Sequence, residues 1–351
     1  MKVNQQLLAD KLKLSRATVS RCFTNHPGIN PSTRAKVFAL AARLGYNHLE
    51  KKAGVSGERL PAQIDIGVLV CVDSPSFTPG DYAHPGQALL NGLAELSRVF
   101  DARLDLNFVN PRDLHLENPS YARIFSRRRQ WDGVVLIYPF PRTVVEELQL
   151  RYSCVSLVEQ YVDTPLNCVD VDHHRGITKL VDHLRSQGHE RIGFFTWRYP
   201  VEASWSLRRF SAYAERLTAL GLPLRHEDII NAGPREPLGV QESHARALQQ
   251  TREGVTAWIC AADHQAYDLL HYLHQHGVRV PADVSVTGFD GIPQPARSPL
   301  LSTIQIPYHQ IGVTGGRRLI DLLQKRFDPV QHIFLDCELR PGETVGPAPS
   351  R

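Results

Sequence analysis

Six residues of kinds that contact nucleic acid fall within seven consecutive positions: Ser15, Arg16, Ala17, Thr18, Ser20 and Arg21. Each type has its own chemistry there. An arginine fork matches O6 and N7 of guanine, and an alanine methyl packs against the methyl of thymine. Serine and threonine hydroxyls reach phosphate oxygens, as does an amide such as that of Asn25. Ala17 and Arg21 are four apart and therefore share one stripe of a helix, with Arg16 beside them. Contact with phosphate alone, or with solvent, is the other reading of each arginine, because phosphate and sugar take more than half of such hydrogen bonds.

Presenting that stripe takes a second helix to pack behind it. Leu7, Leu8 and Leu12 recur at helical spacing, Asn4 is a candidate N-cap, and Ala9 is small where another helix would cross. Ser15 then caps a helix that turns Val19, Cys22 and Phe23 inward. Two short helices joined by a tight turn make a helix-turn-helix. A third helix is expected from Asn30-Pro31, carrying Val37, Leu40, Ala41 and Leu44 inward and stopping at Gly45. Residues 1–52 hold ten Lys or Arg against two Asp or Glu, so the head is +8 while the rest is −4; the whole-chain value of +4 hides this. A basic head on a mildly acidic body is the charge pattern of a nucleic-acid-binding module joined to something else.

The body, at nearly 300 residues, is too long for one core and suits two lobes. Short apolar runs at 64–70, 133–137, 191–196, 256–261 and 284–289 alternate with amphipathic stretches at 86–100, 175–187, 207–220 and 266–276. That alternation predicts an α/β body with parallel sheets covered by helices on both faces. Ligands of such sheets bind outside the carboxyl ends of the strands. No stretch approaches a membrane span, and the N-terminus lacks a signal-peptide pattern, so the expectation is a cytoplasmic protein without a membrane partner. Six scattered cysteines (22, 71, 154, 168, 260 and 337) predict buried, reduced thiols. His271, His274 and His276 lack the companions that would complete a metal site. No nucleophile elbow or phosphate loop is present. Neither an enzyme nor a cofactor is expected.

Four ordered motifs give the chain a likeness along most of its length. They are Leu8-Ala9 with Ser15-Arg16-Ala17-Thr18-Val19-Ser20-Arg21 and Leu44-Gly45-Tyr46, then Gly188-His189-Glu190-Arg191-Ile192, the run from Gly277 to Asp290, and Pro299-Leu300-Leu301-Ser302-Thr303-Ile304. In these the sequence resembles the LacI/GalR family of bacterial transcription regulators. The resemblance implies an all-α helix-turn-helix head (1–46), a hinge (47–63) and a two-lobed periplasmic-binding-protein-like body (64–351). It further implies a homodimer on double-stranded operator DNA, repressing transcription under control of a small-molecule effector, a carbohydrate, held between the lobes. A solute-binding protein of a transport system is the alternative for the body alone.

The resemblance also supplies candidate residues. In the hinge, Lys51 and Lys52 would meet the DNA backbone, and Val55 stands where the family has a minor-groove wedge leucine. Gly54 and Gly57 flank it, each costing about 1 kcal/mol of helix stability, so a flexible linker is the other reading. For the effector, the candidates are His84, Gln87, Trp205, Arg208, Arg209, Trp258, Asp263 and Asp290. Several have a second reading: either arginine could be the inward one, each tryptophan could be core, and Asp263 could cap a helix.

Overall fold

A computed structural model describes residues 4–23, 29–30, 33, 36–37, 40–41, 44, 63–72, 85–125, 131–199, 201, 203–232, 236–324 and 329–350. Asn25, Lys51, Lys52, Val55 and His84 lie outside the described residues. The chain folds as two units, Met1–Pro61 and Ala62–Arg351.

In the first unit the Asn4 side chain accepts from the Leu7 N–H at 2.9 Å and opens α1 (Gln5–Leu12). The helix stops at Lys13, whose φ of 54° and ψ of 42° are left-handed and whose N–H returns to the carbonyls of Ala9 and Asp10. A lysine in that conformation costs about 1–2 kcal/mol, which the turn absorbs. The Ser15 hydroxyl accepts from the Thr18 N–H at 3.0 Å and opens α2 (Arg16–Phe23). Leu8 and Ala9 of α1 bury against Val19 and Cys22 of α2, closed over by Val37, Leu40 and Ala41. Leu7, expected inward, is only half-buried.

The second unit has two lobes. Lobe 1 is built on a parallel sheet of β1 (Ile64–Cys71), β2 (Ala102–Val109), β3 (Gly133–Ile137), β4 (Ser153–Leu157), β5 (Asn167–Val171) and β11 (His332–Leu335), in the order β11-β5-β4-β3-β1-β2. Its helices are α3 (Pro85–Val99), α4 (Pro119–Phe125) and α5 (Arg142–Gln149), joined by α10 (Tyr308–Leu323), which packs along α3. Lobe 2 holds β6 (Ile192–Phe195), β7 (Ile229–Ile230), β8 (Ala257–Cys260), β9 (Ser285–Asp290), β10 (Ser302–Gln305) and β12 (Glu338–Arg340), in the order β12-β10-β9-β8-β6-β7. Only β12 runs antiparallel. Its helices are α6 (His173–Ser186), α7 (Ser204–Ala219), α8 (Val240–Arg252) and α9 (Asp263–Gln275). The chain crosses between lobes three times, after β5, β10 and β11. The lobe 1 sheet therefore contains strands from both ends of the body sequence, and the lobe 2 sheet joins strands of its middle to one near the C-terminus.

The central strands β3 and β8 are wholly buried, as parallel strands covered on both faces must be. The lobes solve one packing problem alike. The Trp131 ring lies where a Cβ on Gly67 would be, and the Trp258 ring lies where one on Gly193 would be. Each indole N–H finds a partner, Asp105 for Trp131 at 3.0 Å and Thr251 for Trp258 at 2.9 Å. Trp258 is thus a fully buried core residue, which corrects its reading as a stacking face for a ligand.

Candidate functional site

On α2 the structure separates a buried stripe from an exposed one. Val19 and Cys22 face the core, while Ser15, Arg16, Ala17 and Arg21 are exposed and Thr18 and Ser20 are half-buried. Ser15 and Thr18 share a hydroxyl–hydroxyl hydrogen bond of 2.9 Å, so both are ordered at the helix N-terminus. A helix N-terminus with orphan N–H groups and flanking hydroxyls is suited to a phosphate. The exposed arginines beside Ala17 are suited to base edges.

In the body the charged candidates meet at the carboxyl ends of the lobe 2 strands. Arg209, on the inward side of α7, is 4% exposed. Its Nη1 donates to the Ala261 carbonyl and to Asp290 Oδ1, the latter at 3.3 Å. Its guanidinium lies 3.9 Å from the Phe289 ring centroid and 4.7 Å from that of Trp205, so aromatic faces replace part of its lost hydration. Asp290 also accepts from the Tyr308 hydroxyl at 3.1 Å and from the Asp263 N–H at 3.4 Å. Asp290 is the last residue of β9 rather than one following it, because the strand continues in register with Gln305 of β10.

Asp263 does not cap its own helix. Ala262 holds the N-cap position without a side-chain bond. The Asp263 carboxylate instead reaches across to β9 and β10, accepting from the N–H groups of Gly291 (2.7 Å) and Ile292 (2.9 Å) and from the Thr303 hydroxyl (2.5 Å). A side chain at Gly288 would overlap that carboxylate, so the glycine is what lets it in. Burial, with the nearby charge of Asp290 second, pushes the Asp263 carboxyl up to about 7.

Two arginines adjacent in sequence part ways. Arg209 enters the network, whereas Arg208 lines a cavity of about 380 Å3 with Ser204, His174 and Phe334, which also reaches His173. Gln87 lines a larger cavity of about 720 Å3, shared with Asn91, Gly291, Gln305 and Tyr308. Its amide is tied to Asn91 at 3.0 Å. Tyr308 belongs to both groups and links this cavity to Asp290.

Sequence reasoning missed several contributors. Glu159, just past β4, is 2% exposed and accepts from the Ser204 N–H at 2.9 Å. Burial pushes its carboxyl up to about 8, against the pull of the Ser204 hydrogen bonds. Tyr199, His264 and Gln265 form a hydrogen-bonded cluster around the Tyr199 hydroxyl (2.8 and 2.6 Å). Tyr138 and Val158 have φ of 73° and 58° at the carboxyl ends of β3 and β4. A β-branched residue in that region is a genuine outlier, and such backbone strain concentrates at binding sites. Nothing local in the sequence marks these positions. Among the described residues no cluster of three or more His, Cys, Asp or Glu could hold a metal, and no helix is long and apolar enough to cross a membrane.

Comparison with known proteins places this architecture. Residues 181–345 match the periplasmic binding protein-like domain. Over 327 residues the chain is 26% identical to catabolite control protein A of Priestia megaterium, covering 91% of this chain and 92% of that protein. The fold matches the lac repressor dimer bound to operator and an anti-inducer, with a TM-score of 0.64 at 21% identity over 99% of this chain and 100% of that one. It also matches a LacI-family regulator of Weissella paramesenteroides with bound glucose, with a TM-score of 0.62 at 19% identity over 81% and 98% of the two chains. In sequence and fold the chain is similar to transcription regulators of the LacI family.

Proposed function

We propose that this regulator is a DNA-binding repressor, acting as a homodimer, whose operator affinity is set by a carbohydrate held between the two lobes. The observation that carries the reading is the buried Arg209–Asp290–Asp263 network beside the Trp205 ring. Charged acceptors and donors next to an aromatic face suit the hydroxyls and the apolar face of a sugar. The glucose in the Weissella relative supports that class of effector. The candidate effector residues kept in the proposal are Gln87, Trp205, Arg209, Asp263 and Asp290. The α2 residues Ser15, Arg16, Ala17, Thr18, Ser20 and Arg21 are the proposed DNA face, joined by Asn25, Lys51, Lys52 and Val55.

The effector would work by binding one lobe arrangement better than another, which is the only way a ligand shifts such an equilibrium. The transport alternative is not favoured, since the relative matched along most of its length is itself a control protein. A gel shift on duplex DNA at several salt concentrations, combined with a thermal-shift screen of sugars, tests the proposal. Salt-dependent DNA binding that a stabilising sugar changes is the expected result. A chain that binds no duplex at low salt sinks it.

A further inference from the structure

His173 is the first residue of α6, where the chain leaves lobe 1 for lobe 2, and its ring is 5% exposed. On one side Nε2 lies 3.0 Å from Asp170 Oδ2, on β5 of the lobe 1 sheet. On the other, Nδ1 lies 3.2 Å from Arg209 Nε, on α7 of lobe 2. An arginine nitrogen can only donate, so Nδ1 must be the bare acceptor. The ring proton then sits on Nε2, aimed at a carboxylate that can only accept. The two neighbours thus fix both the tautomer and the charge of the ring.

Counting the donors of Arg209 shows what this achieves. Nε is spent on His173, and both Nη1 hydrogens are spent on Ala261 and Asp290. Nη2 makes no hydrogen bond among the described residues. We propose that His173 is the positioning residue of the cleft: neutral and protonated on Nε2, it pins the Arg209 guanidinium from the lobe 1 side, so that the Nη2 hydrogens face the bound molecule. The proposal rests on the reading of this cleft as the effector site. It makes one hydrogen-bonded chain, Asp170–His173–Arg209–Asp290–Tyr308, run from the lobe 1 sheet through the lobe 2 sheet and back to α10.

The groups facing His173 are Asp170 from β5, Arg209 and Arg208 from α7, and the Phe289 ring from β9 at 5.8 Å. Burial, aided by the two arginines, outweighs Asp170 and keeps the imidazole below its ordinary value of 6.5. The lock therefore holds at neutral pH. It opens on acidification, when an Nδ1–H would confront the Arg209 Nε–H.

The test has two arms on the full chain. Nitrogen-15 ring spectra, assigned by loss of signal in His173→Asn, should show His173 as the Nε2–H tautomer at neutral pH, titrating below the ordinary imidazole value. An Nδ1–H tautomer, or an ordinary titration, overturns the proposal whatever the ligand. In the second arm calorimetry with glucose, sucrose and cellobiose compares wild type with two variants. His173→Gln keeps a donor towards Asp170 but loses the acceptor, and should weaken binding about ten-fold. His173→Asn places its Oδ1 near the lost Nδ1 and should restore most of that affinity, with a flatter pH profile than wild type. Equal losses in both variants mean a space-filling role and overturn the proposal. Failure of all three sugars to bind wild type counts against the effector class, while the ring spectra still decide the role of His173.

Discussion

The face of α2 and the cleft of the body use the same residue types in opposite surroundings. Arg16 and Arg21 are exposed on a helix whose other side packs a small core. Arg209 is buried among one carboxylate, a backbone carbonyl, a histidine and two aromatic rings. Truncating an exposed arginine leaves no buried charge unpaired. Truncating a buried one strands every group it satisfied, because an unpaired buried charge costs far more than the pair contributed. The head can therefore change its reading without losing its fold, whereas in the cleft binding and stability are tied together.

Arg209→Ala should break the comparison most visibly. It takes the counter-charge from Asp290 and strands the His173 acceptor, and breaking such a buried pair costs about 3–5 kcal/mol. Chemical denaturation should show that loss, together with loss of sugar response. A variant as stable as wild type means the network contributes no net stability. Asp290→Ala falls in the same class, because that carboxylate is tied to Arg209, Tyr308 and the Asp263 N–H at once.

Gly288→Ala comes next. Its methyl would displace the Asp263 carboxylate from its seat against β9, an overpacking cost of about 1–3 kcal/mol. Wild-type-like melting with an unchanged sugar response would show that Asp263 can move at no cost.

Glu159→Gln sharpens the comparison through pH. The folded carboxyl is raised to about 8, so its contribution is complete below the unfolded value near 4.5 and is lost as pH rises through 8. Asp263, raised to about 7, acts in the same direction. Wild type should lose stability progressively between about pH 4.5 and 8, by at most about 1.4 kcal/mol per pH unit for one group. The glutamine variant should show a shallower slope in melting temperature. An unchanged slope removes Glu159 as its source.

Arg21→Ala should have the smallest effect on the fold, within about 0.5 kcal/mol, as exposed substitutions do. Specific operator affinity should nevertheless fall by about 1–3 kcal/mol. Equal loss on all duplexes, measured by gel shift, would make Arg21 a phosphate contact instead.

The sequence by itself determined the elements and the exposed chemistry. Helical spacing marked Leu8, Val19 and Cys22 as a core, and the caps Asn4 and Ser15 are local: each oxygen bonds a backbone N–H three residues on. A stripe on one helix follows from its period, so the outward side of α2 could be read without knowing what packs behind it. Short apolar runs likewise located five of the twelve described strands, within a residue or two at each end. Only the tertiary structure decided the cleft. The partners of Arg209 lie 36, 52 and 81 positions away, brought together by crossings between lobes that no local pattern encodes. Which of two adjacent arginines turns inward depends on the surface α7 presents to β8 and β9. Asp263 reads as a helix cap until β9 and β10 are set beside it, and Trp258 as a ligand face until Gly193 is found beneath its ring. Burial also sets the protonation of Glu159 and the tautomer of His173, because desolvation and hydrogen-bond partners belong to the fold and not to the residue type.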